Sequence, residues 1–387
     1  MSRVNDLSYC PVALSQDSTL IAVIELSSKT WLVSGLVPGL DRRPLKKLEA
    51  DRDSLLRLLE RWRSEAVKAG KVIKRVAVAF EAGRDGFWLA RWLRRHGIEA
   101  HVIHAASVAV SREHRRAKTD RLDTEQLMRA FVGWLRGERK HCQMCHVPSL
   151  EEEDARRPGR EREVLTSEQT RLTNRIKAAL SCLGITGFKP KLRRAGEHLA
   201  DLRTPDGSAI PPNAAAELRR DLERLQLVRQ QIKAIEKQRL ERLAETPAAA
   251  PTVAMRLLQR IVGIALDTSD TLTTEVLLRP LRDRRALARY GGLTGAPDES
   301  GSKRREKGLA RAGNLRVRHT MIQLAWRWLQ FQKDSDLAHW FRDRTENASA
   351  VVRKKMIVAL ARKLLIALWR FVTTGDVPQG AVLRPAA

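Results

Sequence analysis

The chain has 387 residues, a formal net charge of +27 and 43% hydrophobic residues, so we expect about two to three folded domains and a polyanionic partner, DNA or RNA. No apolar run approaches the roughly 18 residues that a membrane span needs, and the N-terminal residues lack a secretion signal. Four cysteines are too few for a disulfide scaffold, so we expect a cytoplasmic, nucleoid-associated protein.

The N-terminal third alternates short apolar strands with helices. We predict strands over residues 20–24, 30–33, 72–80 and 100–103, and helices over 52–69 and 87–96. The run Val76–Phe80 is apolar throughout, which is typical of a strand that is covered on both faces. The alternation predicts an α/β domain over residues 1–148.

The middle of the chain, residues 149–250, is predicted to be helical. Pro158-Gly159 is expected to break a helix that begins at Leu150, and a turn-rich segment over 203–213 precedes a long helix over 214–245. Leucine, isoleucine and valine form an apolar stripe along this helix, which predicts a coiled coil. The stripe serves either self-association or packing within the helix's own domain.

The residues after the middle region are predicted to form a mainly α-helical domain over 251–387. A linker is expected at 247–251, because two prolines enclose three alanines there. Amphipathic helices are predicted over 316–332 and 351–371.

Four acidic residues are candidate metal ligands. Glu25 and Glu81 follow apolar strands, and Asp120 and Asp123 lie one turn apart at the start of a predicted helix. Carboxylates from three segments of a basic domain suit a two-metal phosphoryl-transfer site, because Mg²⁺ prefers oxygen ligands. The alternative is that they are ordinary surface acids and a helix N-cap.

A second candidate site lies between Gly291 and Arg305. The dense glycines indicate tight backbone turns. Ser300 lies close to three consecutive cations that could stabilise charge on a phosphate while the serine oxygen attacks it. The alternative is a solvated basic loop in which Ser-Gly is turn chemistry. The residues expected to bind nucleic-acid phosphates around both candidate sites are Arg115, Arg116, Lys118, Lys303, Arg304, Arg305, Asn314, Arg316 and Arg318.

The segment 141–146 contains a Cys-x-x-Cys-His string. Such strings occur in haem-attachment and zinc sites. Zinc would need a second pair of ligands, and the other two cysteines are isolated in the sequence. We therefore expect a strand or connector here that ends at Pro148.

With these motifs in place, the chain resembles the IS110 family of insertion-sequence transposases, which are DEDD recombinases guided by a bridge RNA. The resemblance covers nearly the whole chain. It is most specific at Ala-Lys-Thr-Asp-Arg-Leu-Asp over 117–123, and at Tyr-Gly-Gly-Leu over 290–293 followed by Ser300-Gly301. It implies an RNase H-like (RuvC-like) N-terminal domain, a coiled-coil insertion used in assembly, and a C-terminal transposase domain with a serine.

The resemblance also implies the roles of the candidate residues. Glu81, Asp120 and Asp123 match three of the four family acids, and Ser300 matches the nucleophilic serine. Glu25 stands where the family has Asp, and its extra methylene lengthens the reach to a metal by about 1 Å. The acids with Mg²⁺ would polarise the scissile phosphate while the serine attacks it, which would leave a covalent phosphoserine link to DNA.

The partners that the resemblance implies are donor and target double-stranded DNA and a structured guide RNA that pairs with both. It also implies a homo-oligomer, a dimer or a tetramer, assembled through the coiled coil. Two other interpretations remain open. One is a metal-dependent nuclease that resembles a junction resolvase, in which water attacks the phosphate. The other is a catalytically disabled relative that only binds nucleic acid, because Glu25 does not hold metal.

Overall fold

The structure, a computed structural model, describes residues 10, 12–83, 86–108, 120–138, 141–245, 250–279, 281–300, 303–310 and 312–385. The chain forms two compact units. The first comprises Met1–Glu151 with Pro280–Asp283, and the second comprises Glu152–Arg279 with Arg284–Ala387. Each unit is described below by itself.

The first unit is a mixed α/β structure. Its strands are β1 (Thr19–Leu26), β2 (Thr30–Leu36), β3 (Leu45–Glu49), β4 (Arg75–Glu81) and β5 (Glu99–Ile103). Its helices are α1 (Arg52–Lys68), α2 (Trp88–Arg95) and α3 (Asp120–Leu135), and the short α4 (Leu150–Ala155) follows. The strands and helices predicted for the N-terminal third are confirmed. The prediction missed β3, which is short, rich in lysine and mostly exposed.

The five strands form one sheet in the order β3-β2-β1-β4-β5. β1, β2 and β3 pair antiparallel, whereas β1, β4 and β5 run parallel. Helices cover both faces, because alternate residues of the central strands enter two different cores. One core lies against α1 and α2, and the other lies against α3. The unbroken apolar run in β4 therefore reflects burial on both faces.

The second unit is mainly helical. Its helices are α5 (Arg157–Cys182), α6 (Ala195–Asp201), α7 (Pro212–Glu245), α8 (Ala250–Gln259), α9 (Leu266–Leu272), α10 (Arg284–Tyr290), α11 (Leu315–Phe331), α12 (Asp336–Thr345) and α13 (Ala350–Thr374). A π-helical turn, Thr273–Leu277, continues α9. The strands β6 (Gly295–Ser300) and β7 (Lys303–Leu309) form an antiparallel hairpin. This hairpin corrects the prediction of a helical C-terminal region interrupted only by a loop.

The long helices α5 and α7 pack side by side in opposite directions. Arg175 pairs with Asp221, whereas Arg162, earlier in α5, pairs with Glu236, later in α7. The apolar stripe of α7 is buried against α5 within the same chain through Leu218, Leu225, Val228 and Ile235. The stripe thus serves packing within the subunit, and assembly through a coiled coil stays a prediction.

Two prolines lie at helix starts. The helix that begins at Leu150 ends at Ala155, but Pro158 belongs to the first turn of α5, where a proline is tolerated because its missing N–H has no helical partner. Pro251 likewise lies in the first turn of α8, which begins at Ala250. The prediction of a linker over 247–251 is therefore wrong for its last two residues. Residues 246–249 of that linker lie outside the described residues.

Candidate active site

Glu25 and Glu81 lie side by side at one edge of the sheet. β1 and β4 are parallel neighbours, and their register pairs Ile24 with Phe80. One further step along both strands brings Glu25 next to Glu81. Each carboxylate is half-buried. The sequence predicted that both acids end strands, and the structure adds that the two strands are adjacent and in register.

Both carboxylates belong to the face of the sheet that α3 covers. Side chains alternate between faces along a strand. Ile21 and Val23 of β1 pack in the α3 core, as do Ala77 and Ala79 of β4. Position 25 continues the first series and position 81 continues the second, so the two acids share the α3 face.

The C-terminal end of α3 lies near the amino end of β4. At this end of α3, the carbonyl of Trp134 accepts a hydrogen bond from the backbone N–H of Cys10 (3.1 Å). The Cys10 Sγ atom is 3.4 Å from the guanidinium of Arg75, the first residue of β4. Fourteen helical residues rise about 21 Å, which matches the roughly 20 Å that six strand residues span from Arg75 to Glu81. A helix of this length that follows the strands would begin beside their carboxyl ends.

Asp123 lies in the first turn of α3 and is half-buried. It precedes the buried Leu127 by one turn, so it continues the sheet-facing stripe of the helix. Asp120 is the first residue of α3, and its side chain lies outside the described part of the structure. Among the side chains that the structure describes, no three acidic, histidine or cysteine residues lie close enough together to hold a metal ion. The predicted phosphate-binding residues Arg115, Arg116 and Lys118 also lie outside the described residues.

Ser300 lies at the tip of the hairpin in the second unit. It pairs with Lys303 across the last rung of the β6–β7 ladder, next to residues 301 and 302. Those two residues lie outside the described part of the chain, as do the side chains of 297–300 and 303–307. The structure thus gives the backbone positions of Ser300, Lys303, Arg304 and Arg305 at and next to the tip.

The base of the hairpin is closed by contacts between glycine-rich segments. The backbone N–H of Asn314 donates to the carbonyl of Tyr290 at 2.6 Å. Gly313 has φ +98°, and a Cβ atom there would lie 2.6 Å from the carbonyl oxygen of Arg289 and from the Cα of Gly292. Only glycine fits this close approach of two backbones.

Asn314 and Arg316 make contacts within the chain. Asn314 caps α11, because its side-chain oxygen accepts from the N–H groups of Arg316 (3.0 Å) and Val317 (3.3 Å). Its amide group donates to Glu275 at 3.1 Å. Arg316 forms an ion pair with Glu163. Arg318, the third polar residue predicted here, is half-buried. The prediction missed Glu275, which is buried in the π-helical turn and has no motif around it.

The two cysteines of the Cys-x-x-Cys-His string belong to different cores. Cys142 is buried on the α3 side, where its Sγ donates to the carbonyl of Ala130 at 3.4 Å. Burial raises the pKa of this thiol to about 12. Cys145 packs against the core on the α1 and α2 side. Because the sheet separates these cores, the pair is a structural connector.

Two comparisons with known proteins identify the family. Residues 255–339 match the family described as "Transposase IS116/IS110/IS902 family". Over 397 aligned residues the chain is 41% identical to "Putative transposase y4rJ" of Sinorhizobium fredii (strain NBRC 101917 / NGR234), and the alignment covers 99% of this chain and 100% of that protein. The chain belongs to the IS110 transposase family.

The segment of this IS110-family transposase that matches the family includes the Ser300 hairpin and its glycine-rich base. A transposase acts on DNA, so DNA is the polyanionic partner that the net charge of +27 indicates. Of the helices that the structure describes, none is long and apolar enough to cross a membrane.

Proposed function

We propose that this IS110-family transposase is an RNA-guided DNA recombinase in which a Mg²⁺-binding acidic site and a serine nucleophile act on the same phosphate. The observation that carries the proposal is the placement of Glu25 and Glu81. They lie on adjacent strands, in register, at the carboxyl ends of both strands and on the sheet face that α3 covers. Ser300 is the nucleophile in this proposal, and it lies at a hairpin tip whose base is built by the family motif.

The first unit is an RNase H-like (RuvC-like) domain in this proposal. Three antiparallel strands are followed by two strands parallel to the first, and helices cover both faces. The candidate acids come from the first strand, from the next strand along the sheet and from the start of α3. In this proposal the acids act together at the carboxyl ends of the parallel strands, where sites of α/β sheets commonly form.

The donor set fits Mg²⁺ by its chemistry. All four candidates, Glu25, Glu81, Asp120 and Asp123, are carboxylates, and Mg²⁺ takes oxygen ligands while keeping several waters for a substrate phosphate. Neighbouring carboxylates such as Glu25 and Glu81 repel each other, and a bound cation would offset that repulsion. Bound Mg²⁺ supplies positive charge that polarises the scissile phosphate. The acids hold and position that charge at the sheet edge.

Ser300 supplies the attacking oxygen. Its hydroxyl loses a proton and forms an ester bond to phosphorus, while a bond from phosphorus to a deoxyribose oxygen breaks and that oxygen leaves with a proton. One phosphate ester replaces another, so strand exchange needs no ATP. The cations Lys303, Arg304 and Arg305 lie next to Ser300 along the hairpin and offset the charge of the phosphate.

Sequence choice is delegated to a guide RNA in this proposal. A protein that reads only backbone and duplex shape needs many cations and few stacking aromatics. The chain has 72 lysines and arginines against 5% aromatic residues. Assembly of a dimer or tetramer uses the α5–α7 pair, whose outer surface carries Leu227 and Leu240, each 55% exposed.

The direct test is Ser300→Ala, with Ser302→Ala, two residues further along the chain, as the matched control. We expect Ser300→Ala to abolish strand exchange and any covalent protein–DNA adduct while binding of DNA and RNA stays unchanged. Ser302→Ala should retain the adduct. If Ser300→Ala still cuts DNA at the wild-type rate, water is the nucleophile and the protein is a junction-resolvase-like nuclease.

Replacing the first acid tests whether the natural chain is active. If Glu25 holds Mg²⁺ as proposed, the wild-type protein recombines its DNA, and Glu25→Asp changes the rate only modestly. An inert wild-type protein that gains activity with Glu25→Asp would show instead that the chain is a disabled relative that binds nucleic acid.

A further inference from the structure

A cavity of about 240 Å³ lies in the second unit between α5, α9 with its π-helical turn, and α11. The cavity is next to the base of the Ser300 hairpin. Asn314, at that base, donates a hydrogen bond to Glu275, which belongs to the π-helical turn and lines the cavity. The charged residues that line the cavity are Arg156, Arg160, Arg162, Glu163, Asp267, Asp270, Glu275 and Arg316.

Most of these charges are paired with one another or with α7. The partners are far apart in sequence, so the pairs connect distant parts of the unit. The pairs are Arg160–Glu275 (3.0 Å), Arg162–Asp267 (3.1 Å), Arg162–Glu236 (2.8 Å), Arg239–Asp267 (3.1 Å), Arg239–Asp270 (2.5 Å) and Arg316–Glu163. Every lining carboxylate is thereby neutralised by an arginine other than Arg156.

Arg156 is the exception among the lining cations. It is only 9% exposed, and its Nε donates to the carbonyl of Thr274 at 3.1 Å. Within the described part of the chain its two terminal nitrogens have no hydrogen-bond partner, yet they are not sealed from solvent. Arg156 is one of the residues that line the cavity. Arg156 is a buried cation whose hydrogen-bonding head is available to a ligand.

The surroundings of Arg156 carry more positive than negative charge. Arg279 lies close by, with its guanidinium 4.7 Å from the centre of the Tyr290 ring and its Nε bound to the backbone of Glu275. Three arginines, 156, 160 and 279, thus share the single carboxylate of Glu275. Burial, followed by repulsion from Arg279 and Arg160, lowers the pKa of Arg156. The attraction of Glu275 does not offset this burial and repulsion, whereas an additional anion in the cavity would.

We propose that this cavity binds a backbone phosphate of nucleic acid, with the terminal nitrogens of Arg156 as its principal donors. A guanidinium offers two parallel N–H groups that match two phosphate oxygens. The proposal deepens the proposed function, because it adds a phosphate-binding position at the base of the hairpin that carries Ser300. Asn314 transmits the position of this site to the hairpin, since it contacts both Glu275 and Tyr290.

The test compares Arg156→Gln with Arg157→Gln in the full-length protein. Arg157 is the next residue of α5, and its side chain is 72% exposed, so it controls for a general loss of charge. Binding is measured by fluorescence anisotropy with a short random-sequence DNA duplex and with an RNA duplex of the same length, over a series of salt concentrations. Losing one phosphate contact lowers the salt slope by about 0.9, which corresponds to an affinity loss of roughly eightfold at 0.1 M salt.

We expect Arg156→Gln to show this loss, and Arg157→Gln to show a clearly smaller one. A loss with DNA alone, with RNA alone or with both supports the site and identifies the source of the phosphate. Unchanged affinity and salt slope with both probes would overturn the proposal. A change in oligomeric mass with unchanged affinity would also overturn it, because the cavity would then hold a carboxylate of a second subunit.

A second variant keeps the test decisive if Arg156→Gln does not fold. Thr320→Glu adds a carboxylate to the cavity lining without removing the Arg156 contact to Thr274. We expect it to lower affinity as Arg156→Gln does, and unchanged binding by a folded Thr320→Glu protein would contradict the proposal. These affinity results are independent of the Ser300→Ala result. Saturating DNA should restore adduct formation in Arg156→Gln but never in Ser300→Ala.

Discussion

Replacing Gly313 with alanine tests how the base of the hairpin is built. The added Cβ would lie 2.6 Å from the carbonyl of Arg289 and from the Cα and N atoms of Gly292, so backbone must move against backbone. The positive φ of +98° costs an L-residue about 1–2 kcal/mol, and overpacking of this kind costs about 1–3 kcal/mol more. We expect a loss of about 3 kcal/mol, which lowers the melting temperature of a unit of this size by roughly 10 °C.

Gly375→Ala is the matched control for this prediction. Gly375 also has a positive φ, +81°, at the end of α13, but a Cβ there would meet no atom within 4 Å. Gly375→Ala should therefore lose only the free energy of the unfavourable backbone conformation, about 1 kcal/mol, which lowers the melting temperature by roughly 3 °C. Differential scanning calorimetry measures both variants. Equal shifts for the two variants would refute the close-approach argument for Gly313.

Three further predictions concern the packing and the ionisable groups of the two units. Ile176 is fully buried in the core between α5 and α7, so Ile176→Ala should lower the free energy of unfolding in urea by about 2–5 kcal/mol. Val164→Ala, on the exposed side of α5, should lower it by less than about 0.5 kcal/mol. Equal losses would contradict the assigned helix faces. At pH 8, a thiol reagent should modify the exposed Cys182 in the native protein and Cys142 only after unfolding, because burial raises the pKa of Cys142 to about 12. Burial raises the pKa of Glu99, but hydrogen bonds from His101 and Arg75 outweigh this effect and hold the pKa at about 2. The ionised carboxylate therefore stabilises the fold at any pH above its ordinary pKa. This stabilisation is lost as the pH falls from about 4.5 towards 2. Glu99→Gln should abolish that part of the acid dependence of the urea midpoint, and an unchanged dependence would show that other carboxylates cause it.

The sheet of the first unit was predictable from sequence wherever burial dominates. β1 and β4 are apolar runs buried on both faces, so composition alone indicates strands. β3 was missed because its sequence, Leu-Lys-Lys-Leu-Glu, is that of an exposed edge strand, in which lysines discourage pairing with other chains. The β6–β7 hairpin was missed for a related reason, since its residues are polar and its formation depends on the glycine-rich base.

The candidate site was predictable only in part. Strand-end acids can be read from sequence, but the register that sets Glu25 beside Glu81 depends on which strands pair, and sequence does not specify this. Asn314 was predicted to bind phosphate, whereas the structure shows it capping α11 and contacting Glu275. Glu275 and its partner Arg160 are 115 residues apart in sequence, so no local sequence pattern predicts their contact.

The central claim is that the acidic site and the hairpin serine act on one phosphate. The most direct measurement is peptide mapping by mass spectrometry after the protein has reacted with DNA in the presence of Mg²⁺ and the guide RNA that the proposed function requires. We expect a nucleotide-modified peptide that contains Ser300, formed by the wild-type protein and absent from Glu81→Gln. DNA cleaved without any modified peptide, or a modified peptide that Glu81→Gln forms at the wild-type rate, would contradict it.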